Sequence, residues 1–84
     1  MNRNDKITNK VVELINKLYE DIIFTEKMYN EDITQICLDS IGFMMLVVLI
    51  EEEFNVEIPA KQLNLEKMNT INKISNIIRD LIKN

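Results

Sequence analysis

Histidine and tryptophan are absent from this 84-residue chain, and cysteine, glycine and proline each occur once. Without histidine the chain lacks the commonest general base and the commonest metal ligand, so Ser-His and Cys-His catalysis are excluded. A single cysteine, Cys37, permits neither a disulfide within the chain nor a zinc site of the paired CxxC type. No metal site is expected. Long hydrophobic runs are missing too: the longest charge-free stretch, Ser40 to Ile50, is too short to span a bilayer. The opening residues Met1-Asn2-Arg3-Asn4-Asp5 lack the apolar core of a signal peptide, which together with the lone cysteine sets the expectation of a reducing cytoplasm.

Size excludes more. A chain this short buries only roughly 60% of the surface its unfolded form exposes, so its large apolar residues are needed for a core and little remains to enclose an active site. One domain over residues 1–84 is expected, with no catalysis of its own. The net charge of −4 argues against nucleic-acid binding, which needs clustered Lys and Arg. The charge is unevenly spread: residues 20–66 hold eleven acids and two bases, a net −9, and the two ends together carry +5.

What is present is helical periodicity. Ile7, Val11, Leu14, Ile15 and Leu18 make one stripe of an amphipathic helix from about Asp5 to Tyr19, with Asp5 and Thr8 both plausible caps. From about Glu20 to Leu38 the period breaks, and a long loop is expected, with Ile22, Ile23, Phe24, Met28, Ile33 and Ile36 as available anchors. A loop of that length in so small a domain raises the expectation that it carries function. Asp39 and Ser40 suit a helix start, and Asn55-Val56-Glu57-Ile58-Pro59 is a poor continuation in which Pro59 forces the break, so the second helix should run from Ser40 to near Phe54. Leu63 and Leu65 to Met68 allow at most a short helix. Thr70 can cap a last helix from Ile71 to Ile82. The expected fold is therefore all-α, a small bundle of three long helices and one short one, with a long loop between the first and second; no strand signal competes.

The second helix is apolar all round. On a helical wheel Phe43, Leu46, Val47, Ile50 and Phe54 fall on one side, and Ile41, Met44, Met45 and Val48 on the other. Either the fold wraps this helix completely or one face is offered to a partner. The second face starts beside the polar Asp39-Ser40 step, lies in the acidic middle of the chain and holds two methionines, which suit surfaces that repack against several partners. That face is expected to be exposed and to bind partner proteins.

Ile36-Cys37-Leu38-Asp39-Ser40-Ile41, then Leu46-Val47, then Ile50-Glu51-Glu52-Glu53-Phe54-Asn55-Val56-Glu57-Ile58-Pro59, resembles the phosphopantetheine attachment region of acyl and peptidyl carrier proteins of the free-standing type. The family pattern is a Leu-Gly-x-Asp-Ser-Leu step opening a helix that ends in Glu-Glu-Glu-Phe with an Ile-Pro exit. By that resemblance Ser40 is the serine modified with 4'-phosphopantetheine, Asp39 the preceding acid that the phosphopantetheinyl transferase recognises, and Ile41, Met44, Met45 and Val48 the docking face, rimmed by the loop before Asp39 and by Val56 to Gln62. Apart from the resemblance, a helix N-terminus offers unpaired N–H groups and a positive dipole end that favour a phosphodiester.

The departures from the pattern matter. Cys37 stands at the usual Gly and reads as a small space-filler; Ile41 replaces Leu. Gly42 and Met45 stand where fatty-acid carriers usually have acids, which weakens charge-steered docking and strengthens apolar contact. Apolar partner faces are commoner in aminoacyl and peptidyl carriers of nonribosomal synthesis, and Asp-Ser-x-Gly is reminiscent of D-alanyl carrier proteins. The resemblance implies a non-catalytic monomeric carrier that holds a thioester-linked intermediate, loaded by an adenylating or acyltransferring enzyme and delivered to downstream synthase or tailoring enzymes, in nonribosomal peptide or related secondary metabolism. The alternatives are a fatty-acid or D-alanyl carrier and, in another class, an unmodified adaptor that binds a partner helix.

Overall fold

The computed structural model describes residues 5–83. Its helices are α1 (Asp5–Leu18), a single-turn α2 (Ile33–Ile36), α3 (Ser40–Phe54) and α4 (Ile71–Lys83), with 3-10 turns at Glu26–Met28 and Ala60–Gln62. No strand occurs among the described residues, and the architecture is the expected all-α bundle of three long helices. α1 packs on both α3 and α4. The contact is built from the apolar stripes: Val11, Leu14 and Ile15 of α1, Leu46 and Ile50 of α3, and Ile71, Ile74 and Ile78 of α4 are all buried, and Ile33 and Met68 join them. Burying each such side chain is worth about 1.5–3 kcal/mol.

The helix ends follow from local chemistry. Thr8 lies inside α1 and is buried, which removes it as a cap; the side chain of Asp5 lies outside the described residues. Asp39 opens α3, its carboxylate accepting the Gly42 N–H at 2.7 Å. Asn55 closes it in the left-handed conformation (φ 54°, ψ 50°), which Asn tolerates better than most residues. The stop therefore lies at Asn55, ahead of Pro59, which instead precedes the 3-10 turn Ala60–Gln62. Thr70 Oγ1 accepts the Lys73 N–H at 3.0 Å at the start of α4. Thr70→Ala should cost about 1 kcal/mol, seen as a lower urea midpoint with an unchanged slope; an unmoved midpoint would mean that the cap contributes nothing.

Two expectations need correction. The segment between α1 and α3 is not a plain loop, because it contains a 3-10 turn and α2, whose cap is Asp32. Partners distant in sequence order it. The Ile33 N–H donates to the Asn69 carbonyl (2.8 Å), the Asn72 N–H to the Tyr29 carbonyl (3.0 Å), and Asn72 Nδ2 to Asn30 Oδ1 (2.7 Å). Of the apolar anchors expected in this segment, Phe24 and Ile33 are buried, and Ile22, Met28 and Ile36 pack partly against the core, but Ile23 is 83% exposed. In a non-helical stretch neighbouring side chains point opposite ways, so three consecutive apolar residues cannot all face inward. The short helix is also elsewhere than Leu63 to Met68 would suggest. It is α2, and residues 64–70 form turns in which Asn64 Oδ1 accepts the Lys67 N–H at 2.9 Å.

Candidate functional site

The chain has two serines, in opposite environments. Ser75 is buried within α4 and its hydroxyl donates to the Ile71 carbonyl at 2.8 Å. Ser40 is exposed as the first residue of α3. Because Asp39 makes the cap, the Ser40 hydroxyl is free of that duty and stands beside backbone N–H groups whose dipole favours an anion. Asp39 is exposed as well.

Behind this step the chain is fixed. Leu38 is buried, and its N–H, like that of Cys37, donates to the Ile33 carbonyl. Cys37 has a φ of −156°, outside the left-handed region, so a side chain is accommodated there where the family has glycine. Burial first, and then the charge of Asp39, pushes its thiol above the ordinary range, which keeps it protonated and poorly reactive. That agrees with a space-filling role.

Periodicity pointed to none of the special packing at Gly42. This residue is buried, and the space its side chain would fill is taken by Tyr19: a Cβ built there would lie 1.9 Å from the phenol oxygen and 3.1 Å from Asp39 Oδ1. Burial raises the Tyr19 phenol pKa, the nearby Asp39 charge raises it further, and a hydrogen bond with the Asp39 backbone works the other way. The sequence signal that could have found this contact is the lone glycine near the start of a helix.

The face expected to be open is open. Ile41 is 72% exposed, Met44 69%, Val48 52% and Met45 49%, whereas Leu46 and Ile50 on the opposite side are buried. Two apolar grooves flank this ridge. One, of about 240 Å³, is lined by Leu18, Met45, Val48 and Leu49; the other, of about 300 Å³, by Phe43, Met44, Val47, Val48 and Leu63. Leu63 was not foreseen as part of this face. Within the expected rim Val56 to Gln62, Ile58 is buried, its N–H donating to Glu51 Oε2 at 2.9 Å, so it is not available to a partner. No helix among the described residues is long and apolar enough to cross a membrane, and no described cluster of acids and cysteine could hold a metal ion.

The family model described as phosphopantetheine attachment site matches residues 25–78. Similar proteins include the D-alanyl carrier proteins of Streptococcus pyogenes serotype M5 (strain Manfredo), serotype M49 (strain NZ131) and serotype M1. Each is 32% identical over 77 residues, which covers 89% of this chain and 94% of the relative. No solved structure matches significantly. The chemistry at the start of α3 fits the group that this family carries, since an exposed hydroxyl on a firmly capped helix start can hold a phosphodiester where the backbone N–H groups favour one. The chain belongs to the phosphopantetheine attachment-site family and is a non-catalytic carrier whose prosthetic group, 4'-phosphopantetheine, is added by a phosphopantetheinyl transferase.

Proposed function

We propose that Ser40 is the attachment point and that residues 1–84 act as a single monomeric carrier domain for aminoacyl groups in the cytoplasm. The observation that carries the reading is the contrast between the two serines: Ser40 is exposed at the capped start of α3, whereas Ser75 is buried and bonded. In this reading Asp39 is the acid the transferase reads, and Ile41, Met44, Met45 and Val48 are the docking ridge for the transferase, the loading enzyme and the enzymes downstream. The prosthetic group, when bound, supplies the thiol that holds the cargo as a thioester. The chain's own part is to present that arm from a rigid helix end, so that the tethered cargo meets each docked enzyme as an intramolecular reactant. One helix face is a small interface, suited to successive transient partners.

D-alanine is the first cargo to test, because the streptococcal relatives bear the name D-alanyl carrier protein. Nonribosomal peptide synthesis is the second reading, favoured by the uncharged ridge, where Gly42 and Met45 replace the acids of fatty-acid carriers. The test is loading. Protein coexpressed with a broad-range transferase is incubated with ATP, D-alanine and a D-alanine-adenylating enzyme, and its intact mass is followed. We expect one phosphopantetheine and then one D-alanyl group, removable by hydroxylamine. Loading only by another adenylation enzyme with its own amino acid would move the assignment to the nonribosomal reading. Loading only with long-chain acyl groups would overturn the aminoacyl assignment.

A further inference from the structure

Building on the assignment of Ser40, we propose that Tyr19 is a positioning residue for the attachment reaction and that Gly42 is glycine in order to admit it. Tyr19 directly follows α1, and its N–H still bonds the Ile15 carbonyl at 2.9 Å. The ring is thus held by a helix that is itself fixed through Val11, Leu14 and Ile15. From there the phenol oxygen reaches across to the first turn of α3, where it takes the volume of the missing Gly42 side chain, and the Asp39 carboxylate borders the same volume. Any side chain at position 42 must displace the tyrosine and crowds the capping carboxylate as well, and both lie at the step that presents Ser40.

Backbone freedom does not explain this glycine. Gly42 has no positive φ, and glycine weakens a helix relative to alanine, so the space is what the position supplies. The contact also spans the whole irregular segment between α1 and α3. It couples the start of α3 directly to the core without relying on the residues between.

In the attachment reaction Ser40 Oγ forms a bond to the phosphorus of coenzyme A that bears the pantetheine. The pyrophosphate bond breaks, the adenosine bisphosphate half leaves with the electron pair, and the hydroxyl proton passes to a base of the transferase. Such a displacement is sensitive to the placement of the attacking oxygen, and a misplacement of about 1 Å can cost on the order of a hundredfold in rate. The docking ridge is not part of the Tyr19 contact. Disturbing the contact should therefore lower kcat and spare KM.

The test compares wild type, Tyr19→Phe, Gly42→Ala and the double variant as apo-proteins with transferase and coenzyme A. Modification is read by intact mass across carrier concentrations, and thermal melts are recorded in parallel. Gly42→Ala should lower kcat about tenfold or more with KM changed less than about twofold. Tyr19→Phe, which keeps the ring and removes the oxygen, should have a smaller effect. The double variant should recover toward the Tyr19→Phe rate, because losing the oxygen removes the overlap and leaves only the ring carbon Cζ, 3.1 Å from the new methyl group, to give by a few tenths of an ångström. Wild-type kinetics for Gly42→Ala, a loss confined to KM, no rescue in the double variant, or rescue of melting without rescue of rate would each overturn the proposal. A wild type that accepts no phosphopantetheine would overturn the Ser40 assignment and this proposal with it, whereas normal wild-type modification with indifferent variants overturns this proposal alone.

Discussion

Ser40→Ala should abolish phosphopantetheine addition completely and leave the fold intact. The two halves of that result have separate causes. Modification needs a nucleophilic hydroxyl that a transferase can reach, and the second serine cannot substitute, since Ser75 is buried against the Ile71 carbonyl. Stability should move by no more than about 0.5 kcal/mol, as for other exposed positions. The cap bond belongs to Asp39, and alanine favours helix over serine. Intact mass after coexpression with the transferase reads the first half and a urea titration the second. Addition that survives Ser40→Ala, or no addition to wild type, would sink the carrier assignment of Ser40 and favour an adaptor that uses the exposed face of α3 unmodified.

Ile50→Ala should be among the most damaging truncations on α3, costing about 2–5 kcal/mol. Ile50 is fully buried within the cluster that joins α1, α3 and α4, so truncation removes both transfer energy and packing. A domain of this size has only about 5–10 kcal/mol to lose, which makes a urea midpoint shift easy to read. The control lies on the other side of the same helix. Met45→Glu, at a half-exposed position, should change stability by less than about 0.5 kcal/mol while raising the KM of transferase or loading enzyme. A core-sized loss from Met45→Glu would mean that the ridge is structural, and the docking assignment would fall.

The contrast between those two substitutions also explains what could be read from the chain alone. α3 was legible at both ends because its start and stop are local, with Asp39 capping within three residues; the stop near Phe54 was right in place but wrong in cause, since the left-handed Asn55 makes it ahead of Pro59. Its double-sided apolarity was legible too, and exposure of one side was read from the polar Asp39-Ser40 step, the acidic surroundings and the two methionines on that face. The segment between α1 and α3 was not legible, because its order comes from Asn69 and Asn72, far along the chain, whose bonds to Ile33 and Tyr29 leave no periodic trace. Ile23 was misplaced because composition marks a residue as apolar without saying which way it points. Gly42 was read as a missing acid and as the end of an Asp-Ser-x-Gly step, and neither reading pointed to its packing. Its partner is Tyr19, and a contact between residues so far apart in sequence has no signature in spacing.

The bonds from Ile33 to Asn69 and from Asn72 to Tyr29 have a consequence for how such a chain can diversify. They close a ring that contains all of α3 and the connection from Asn55 to Thr70. The entropic cost of a closed ring grows only slowly with length, about 0.6 kcal/mol for each doubling. Residues can therefore be inserted or lost in the turns after Pro59, beside Leu63 and the larger groove, while the clasp and the two helix ends that aim Ser40 stay as they are. Length changes have their least costly route there, where the outline of the exposed ridge on α3 can be altered without disturbing the start of the helix at Ser40.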